Sequence, residues 1–210
     1  MPTRKKKSAR KITREPEQTR ARILQAAFEE FSTKGFAGAR VSQISRLAGS
    51  NKRMLYHYFG NKKDLFRAVL QQKIAERQAV ASKATGNPAI DLPRWFETNC
   101  QYAGWIRLLG WESLQTENKK LLDEEERQEL MNRTVERIQQ QQAAGQLVDH
   151  WDPRHVLLAM MSLTTFPQAH SQMARLITGQ SVQDPQFQTG YAAFLSQFSA
   201  AFVPPASRVS

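Results

Sequence analysis

Residues 41–66 read VSQISRLAGSNKRMLYHYFGNKKDLF, and the breaks in this stretch decide the fold. Ile44, Leu47 and Ala48 recur at helical spacing, which predicts a short amphipathic helix over Val41–Ala48. Gly49 ends it, because glycine takes the left-handed conformation of a helix C-terminus at little cost. Ser50 and Asn51 form the turn, and Asn51 is a good N-cap for the next helix. That helix, Lys52 to Tyr58, turns Leu55 and Phe59 one way and Lys52, Arg53, Tyr56 and His57 largely another. Gly60-Asn61 breaks it, and Asn61 with Asp64 three residues later makes a capping-box-like start to a third helix. Two short helices across a tight glycine turn, the second loaded with cations and aromatic hydroxyls, describe a helix-turn-helix.

Upstream, Pro16 or Glu17 opens a long helix whose stripe of Ile23, Leu24, Ala27, Phe28 and Phe31 supports the helix-turn-helix, and Gly35 stops it. With these residues stated, the segment AGSNKRMLYHYFGNKKDLF resembles the DNA-binding signature of the tetracycline-repressor-like (TetR-type) transcriptional regulators. So does TRARILQAAFEEFSTKGF before it, and the double match covers Thr19 to Leu70. Arg40 departs from the family's usual Thr or Ser, Ser50 from Val or Ile, and Arg53-Met54 from Gly-Thr. These departures bear on the DNA sequence read and leave the fold untouched.

The charge agrees with a polyanion partner. The net +11 divides into +7 over residues 1–14, +4 over 15–66 and zero over 67–210. Residues 1–14 have much charge and little to bury, so a disordered basic arm is expected. A solvated tail and an arm that follows phosphates or the minor groove both remain open for it. An anionic membrane is the poorer partner, since the arm carries almost no apolar residues to insert. No apolar run approaches the ~20 residues that span a bilayer. The basic N-terminus lacks the apolar stretch of a signal peptide, so a cytoplasmic protein is expected. Cys100 is the only cysteine, so no internal disulfide forms, and no cysteine-histidine cluster has zinc spacing.

From Asn61 a helix continues towards Lys83, and Thr85 to Pro93 reads as a break. The rest is helical by pattern. Arg94 to Glu117 is apolar on more than one face; Asp123 to Ala144 is amphipathic and ends at Gly145. Asp152-Pro153 and Asp184-Pro185 are two N-cap and first-turn proline starts, the second opening the last helix, to Phe202. Pro167 is expected to begin a separate segment to Thr178. The expected architecture is all-α: a basic arm over 1–14, a three-helix helix-turn-helix domain over 15–66, a larger helical domain over 67–204 and a tail over 205–210.

The resemblance implies a homodimer on a near-palindromic operator, with a small-molecule inducer in the larger domain. It implies DNA contacts by Lys52, Arg53 and Met54 at base edges and by Tyr56, His57, Tyr58 and Lys62 at bases or phosphates. Arg40 and Ser42, at the start of the first short helix, join that set. The aromatic helix from Trp95 to Trp111 is the candidate pocket wall, through Trp95, Phe96, Asn99, Tyr102, Trp105 and Trp111, with Met160 and His170 beside it. For each, an ordinary core or surface role is the competing reading. Family likeness puts Leu158, Met161, Phe194, Leu195 and Phe198 at the dimer interface. No metal and no cofactor are expected. The acidic run Asp123 to Glu126 reads as compensation of a helix dipole, and no phosphate loop, nucleophile elbow or metal motif marks an enzyme. Two rivals stay open: a ligand-independent DNA-binding protein whose second domain only dimerises or meets a protein partner, and an enzyme or carrier with a basic tether.

Overall fold

The computed structural model describes the backbone of residues 5–115 and 120–205 and the side chains of 16–114 and 120–205. The helices are α1 Lys5–Gly38, α2 Val41–Leu47, α3 Lys52–Phe59, α4 Lys62–Ala81, α5 Pro88–Gln101, α6 Ala103–Gln115, α7 Glu124–Ala143, α8 Pro153–Ala169, α9 Ser171–Thr178 and α10 Pro185–Phe198, followed by a 3-10 turn Ser199–Phe202. No strand occurs among the described residues. The chain divides into two units, Met1–Gln78 with Arg107–Glu117, and Ala79–Ile106 with Asn118–Ser210. The division falls later than the 66–67 boundary read from the sequence, because α4 runs unbroken through that point.

The first unit is built on aromatic and aliphatic side chains from α1 to α4. Ile23, Phe31, Ile44, Leu55 and Leu65 are fully buried, and Phe66 meets the Phe31 ring edge-on at 5.0 Å between centroids. Each such side chain contributes about 1.5–3 kcal/mol relative to exposure. Gly35 (φ 66, ψ 174) interrupts the helix where the sequence predicts its stop, and one further short turn runs on to Gly38. This turns Phe36 onto Phe66, with centroids 5.3 Å apart. At the other end α1 begins at Lys5, upstream of the expected start at Pro16. The arm expected to lack structure is thus helical in backbone from Lys5; residues 1–4 and the side chains through residue 15 lie outside the described part.

The turn between α2 and α3 follows from its residues. Gly49 has φ 59. The Ser50 N–H bonds the Ser45 carbonyl at 2.9 Å and the Gly49 N–H bonds that of Arg46 at 3.2 Å. These two bonds close a helix on a left-handed residue. The Asn51 side chain then accepts the Met54 N–H at 2.8 Å and opens α3. Leu47, expected on the buried face of α2, is exposed; Ile44, Ser45 and Ala48 are buried instead.

The second unit packs α5, α7, α8, α9 and α10 around Leu92, Phe96, Ile138, Leu147, Val156, Met160, Phe187 and Leu195. Three prolines behave differently from their sequence reading. Pro88 occupies the first position of α5 behind an Asn87 cap, and Pro93 lies inside that helix, so the break is shorter than Thr85 to Pro93. Pro167 lies inside α8 instead of starting a new segment. Proline has no N–H for the carbonyl four residues back. The carbonyl this frees, Leu163, is taken by the Tyr191 hydroxyl at 3.0 Å. The new segment begins later, after His170 (φ −123, ψ 53). Likewise Tyr102 (φ −111, ψ 38) splits the expected 94–117 helix into α5 and α6.

The α4–α5 connector is held by a buried acid. Asp91 accepts the Thr85 N–H at 3.0 Å and the Gly86 N–H at 2.9 Å, and pairs with Arg94 at 3.1 Å. Gln141 of α7 adds a bond to the Gly86 carbonyl at 3.2 Å. No described helix is long and apolar enough to cross a membrane.

Candidate nucleic-acid interface

On α3 the burial pattern separates a core face from a polar one. Leu55 and Phe59 are buried. Lys52, Arg53, Met54, Tyr56 and His57 are exposed, and Tyr58 is half-buried with its ring 5.5 Å from that of His57. The helix therefore presents two cations, a thioether, a phenol and an imidazole on a scaffold fixed by the Asn51 cap and the Leu55–Phe59 anchor. Lys and Arg can donate to guanine O6 and N7, and Met54 can pack on a thymine methyl. Arg40, the N-cap of α2, and Ser42 in its first turn are exposed as well.

Lys62 is held more tightly than expected of a phosphate contact. Its Nζ donates to the Ala37 carbonyl at 3.3 Å and lies 4.9 Å from the Phe36 ring centroid. Burial there lowers its pKa, and the Glu30 carboxylate opposes that shift. An ammonium has three donors, so a bond to Ala37 leaves others for a phosphate oxygen.

The residues expected to line a ligand pocket do not form one wall. Phe96 and Met160 belong to the core of the second unit, Phe96 packing on Tyr191 at 4.8 Å between centroids. Asn99 is buried with its amide donating to the Thr164 carbonyl at 2.8 Å. Trp95 and Trp105 are half-buried on different helices, while Tyr102, Trp111 and His170 are exposed. Trp111 falls with the residues grouped in the first unit. The break at Tyr102 is the reason: it ends α5 before Trp105 and Trp111, so the expected single helix does not carry all of these side chains.

A different concavity, of about 530 Å³, opens between α8 and the end of α10, lined by Trp151, His155, Ala159, Ser162, Phe198 and Phe202 among others. Trp151, in the loop after α7, is one of the four tryptophans that the sequence offers for a ligand cavity, whereas Phe198 is expected at the dimer interface.

Of the residues expected at a dimer interface, Leu158, Met161, Phe194 and Phe198 are exposed apolar side chains. Leu195 is not available: it is fully buried. On α10 the row Phe187, Tyr191, Leu195 turns to the core, and Phe194 and Phe198 turn out. Sequence reading missed a second exposed apolar stripe on α9, Met173, Leu176 and Ile177. Its spacing was visible, but the misplaced start at Pro167 hid the helix. Among the described residues no group of three or more His, Cys, Asp or Glu could hold a metal ion.

The sequence model of bacterial regulatory proteins of the tetR family matches residues 23–69, and that of the tetracyclin repressor-like C-terminal domain matches residues 92–191. The HTH-type transcriptional repressor SCO4008 of Streptomyces coelicolor is 33% identical over 170 residues, which cover 79% of this chain and 86% of the relative. The chain belongs to the tetR family of bacterial regulatory proteins. It is a helix-turn-helix, DNA-binding transcriptional regulator. The fold agrees. The crystal structure of SCO4942 from Streptomyces coelicolor superposes with a TM-score of 0.74 at 24% identity, covering 86% of this chain and 96% of that one. FadR of Bacillus subtilis, crystallised with stearoyl-CoA, gives 0.57 at 16% identity over 84% of this chain and 97% of that one. The family match over 23–69 takes in α2, α3 and the connectors around them, the part of the tetR head that carries the polar face described above.

Proposed function

We propose that this tetR-family regulator is a ligand-responsive repressor that binds a palindromic operator as a homodimer. The observation that carries the reading is the exposed face of α3, where Lys52, Arg53, Met54, Tyr56 and His57 stand on a capped helix with a buried apolar anchor. Lys52, Arg53 and Met54 read base edges, Tyr56, His57, Tyr58 and Lys62 reach bases or phosphates, and Arg40 and Ser42 complete the contact set. The excess of +11 in the first 66 residues supplies the attraction to phosphate.

Two copies are needed to read two half-sites one helical turn apart, about 34–36 Å, or a multiple of it. The exposed apolar residues Leu158, Met161, Phe194 and Phe198 support self-association through α8 and α10. A ligand releases DNA only by binding better to the arrangement in which the heads are wrongly spaced. The concavity bounded by Trp151, Phe198 and Phe202 is apolar and of the size small-molecule sites have, which supports an apolar inducer. The stearoyl chain of the stearoyl-CoA held by the fold neighbour FadR is apolar in the same sense.

The test is a compound screen read twice, by tryptophan fluorescence and by release of operator DNA. Compounds that change both support a ligand-responsive repressor. If every fluorescence-active compound leaves DNA affinity unchanged, the switch fails and a ligand-independent regulator replaces it.

A further inference from the structure

The connector between α1 and α2 is gripped from two helices. From α1, Glu30 accepts the Arg40 backbone N–H through Oε1 at 3.1 Å. From the start of α4, Lys62 donates to the Ala37 carbonyl at 3.3 Å and covers the Phe36 ring. Local residues do not supply the first of these bonds. Arg40 is the N-cap of α2, and a guanidinium has no acceptor; α2 has no side-chain cap bond and no acid in its first turn. Gln43, three residues on, stands where a capping-box side chain would reach back to the N-cap N–H. Its Oε1 is instead turned to Arg46 Nε at 3.2 Å. Glu30 does from another helix what Gln43 does not.

A carboxylate here has a cost. It stands among cations that must meet phosphate, and it weakens that attraction. We propose that Glu30 is a positioning residue for DNA recognition: by holding the Arg40 N–H it fixes where α2 starts and where the Arg40 side chain is presented, while Lys62 fixes the other end of the connector at Ala37. The proposal rests on the DNA-binding reading of α2 and α3.

A role by charge and a role by hydrogen bond have opposite signatures. In E30Q the amide oxygen can still accept the Arg40 N–H and the negative charge is gone. In E30A both are lost. E30M loses both while keeping an unbranched stem of similar length, and so guards against a packing defect. The probe is a duplex that the full-length wild-type protein enriches from a random-sequence pool, with affinity measured at several salt concentrations and exchange of the Arg40 amide followed by NMR. We expect E30Q to bind at least as tightly as wild type, and E30A and E30M at least 10-fold more weakly. The Arg40 amide should exchange faster in E30A and E30M but not in E30Q. Wild-type or tighter binding by E30A and E30M, or an equally protected Arg40 amide in all four proteins, overturns the proposal. If the wild-type protein itself enriches nothing, the DNA reading falls and takes the proposal with it. If wild type and E30A enrich the same sequence equally well, only the proposal falls.

Discussion

Arg53 stands on the exposed face of α3 with no side-chain partner that would draw it back to the protein surface among the described contacts. A guanidinium so placed can make a bidentate pair with one guanine, worth about 1–3 kcal/mol of discrimination. Arg53→Ala is expected to lose preference at one operator position while the rest of the pattern survives, as read by selection with the variant. An unchanged pattern removes Arg53 from the reading set. Cys100 makes a different residue-scale point. Its half-buried thiol is pushed up in pKa by burial, although the Gln168 amide donates to Sγ at 3.0 Å and works the other way. The thiolate is the reactive form. Iodoacetamide at pH 8 should therefore label Cys100 more slowly than free cysteine, with the rate still rising above the ordinary thiol range. Labelling at the free-cysteine rate contradicts this. No local pattern in the sequence shows Gln168, 68 positions away in the chain and brought close only by packing.

At the scale of elements, legibility follows the range of the interactions that set each boundary. The turn of the helix-turn-helix was readable because Gly49 and Asn51 act on their immediate neighbours. Asn61 was readable for the same reason: its side chain accepts the Asp64 N–H at 2.9 Å. The prolines were misread because a distant group decides whether an interior proline is tolerated. Pro167 continues α8 since Tyr191, on α10, satisfies the Leu163 carbonyl it leaves open. Tyr191→Phe should cost about 1–3 kcal/mol, the range for stranding a buried acceptor. Burial raises the Tyr191 pKa. A phenol whose folded pKa lies above its unfolded value contributes stability in full below the unfolded pKa, near 10. That contribution fades as pH rises through the folded value. The difference in stability between wild type and Tyr191→Phe should thus be flat from pH 7 to about 9 and shrink at higher pH. A difference that grows with alkalinity would show that the hydroxyl is not held neutral. The pocket was the least legible element. Aromatic residues at helical spacing mark burial, and neither the break at Tyr102 nor the packing of Phe96 into the core has a local signal.

At the scale of the whole molecule, a basic head is followed by a helical unit with apolar side chains left on its surface. Leu158 is 63% exposed in the single chain, so Leu158→Glu should change the stability of one protomer by no more than about 0.5 kcal/mol. At a two-fold contact the same change sets carboxylates against each other in an apolar surface. Sedimentation should find the wild-type protein dimeric and Leu158→Glu monomeric at micromolar concentration, with operator affinity reduced at least tenfold. A dimer of undiminished strength would place the interface elsewhere, and the α9 stripe would be the next surface to mutate. All of this serves one claim, that two α3 helices related by symmetry read DNA sequence. The direct measurement is selection of bound duplexes from a random pool by the full-length protein, followed by protection mapping of the enriched sequence. The account predicts one inverted repeat whose half-site centres lie about one helical turn, or a multiple of it, apart, with protection on the same face of the duplex. A pool that stays random, or an enriched sequence without inverted symmetry, contradicts it.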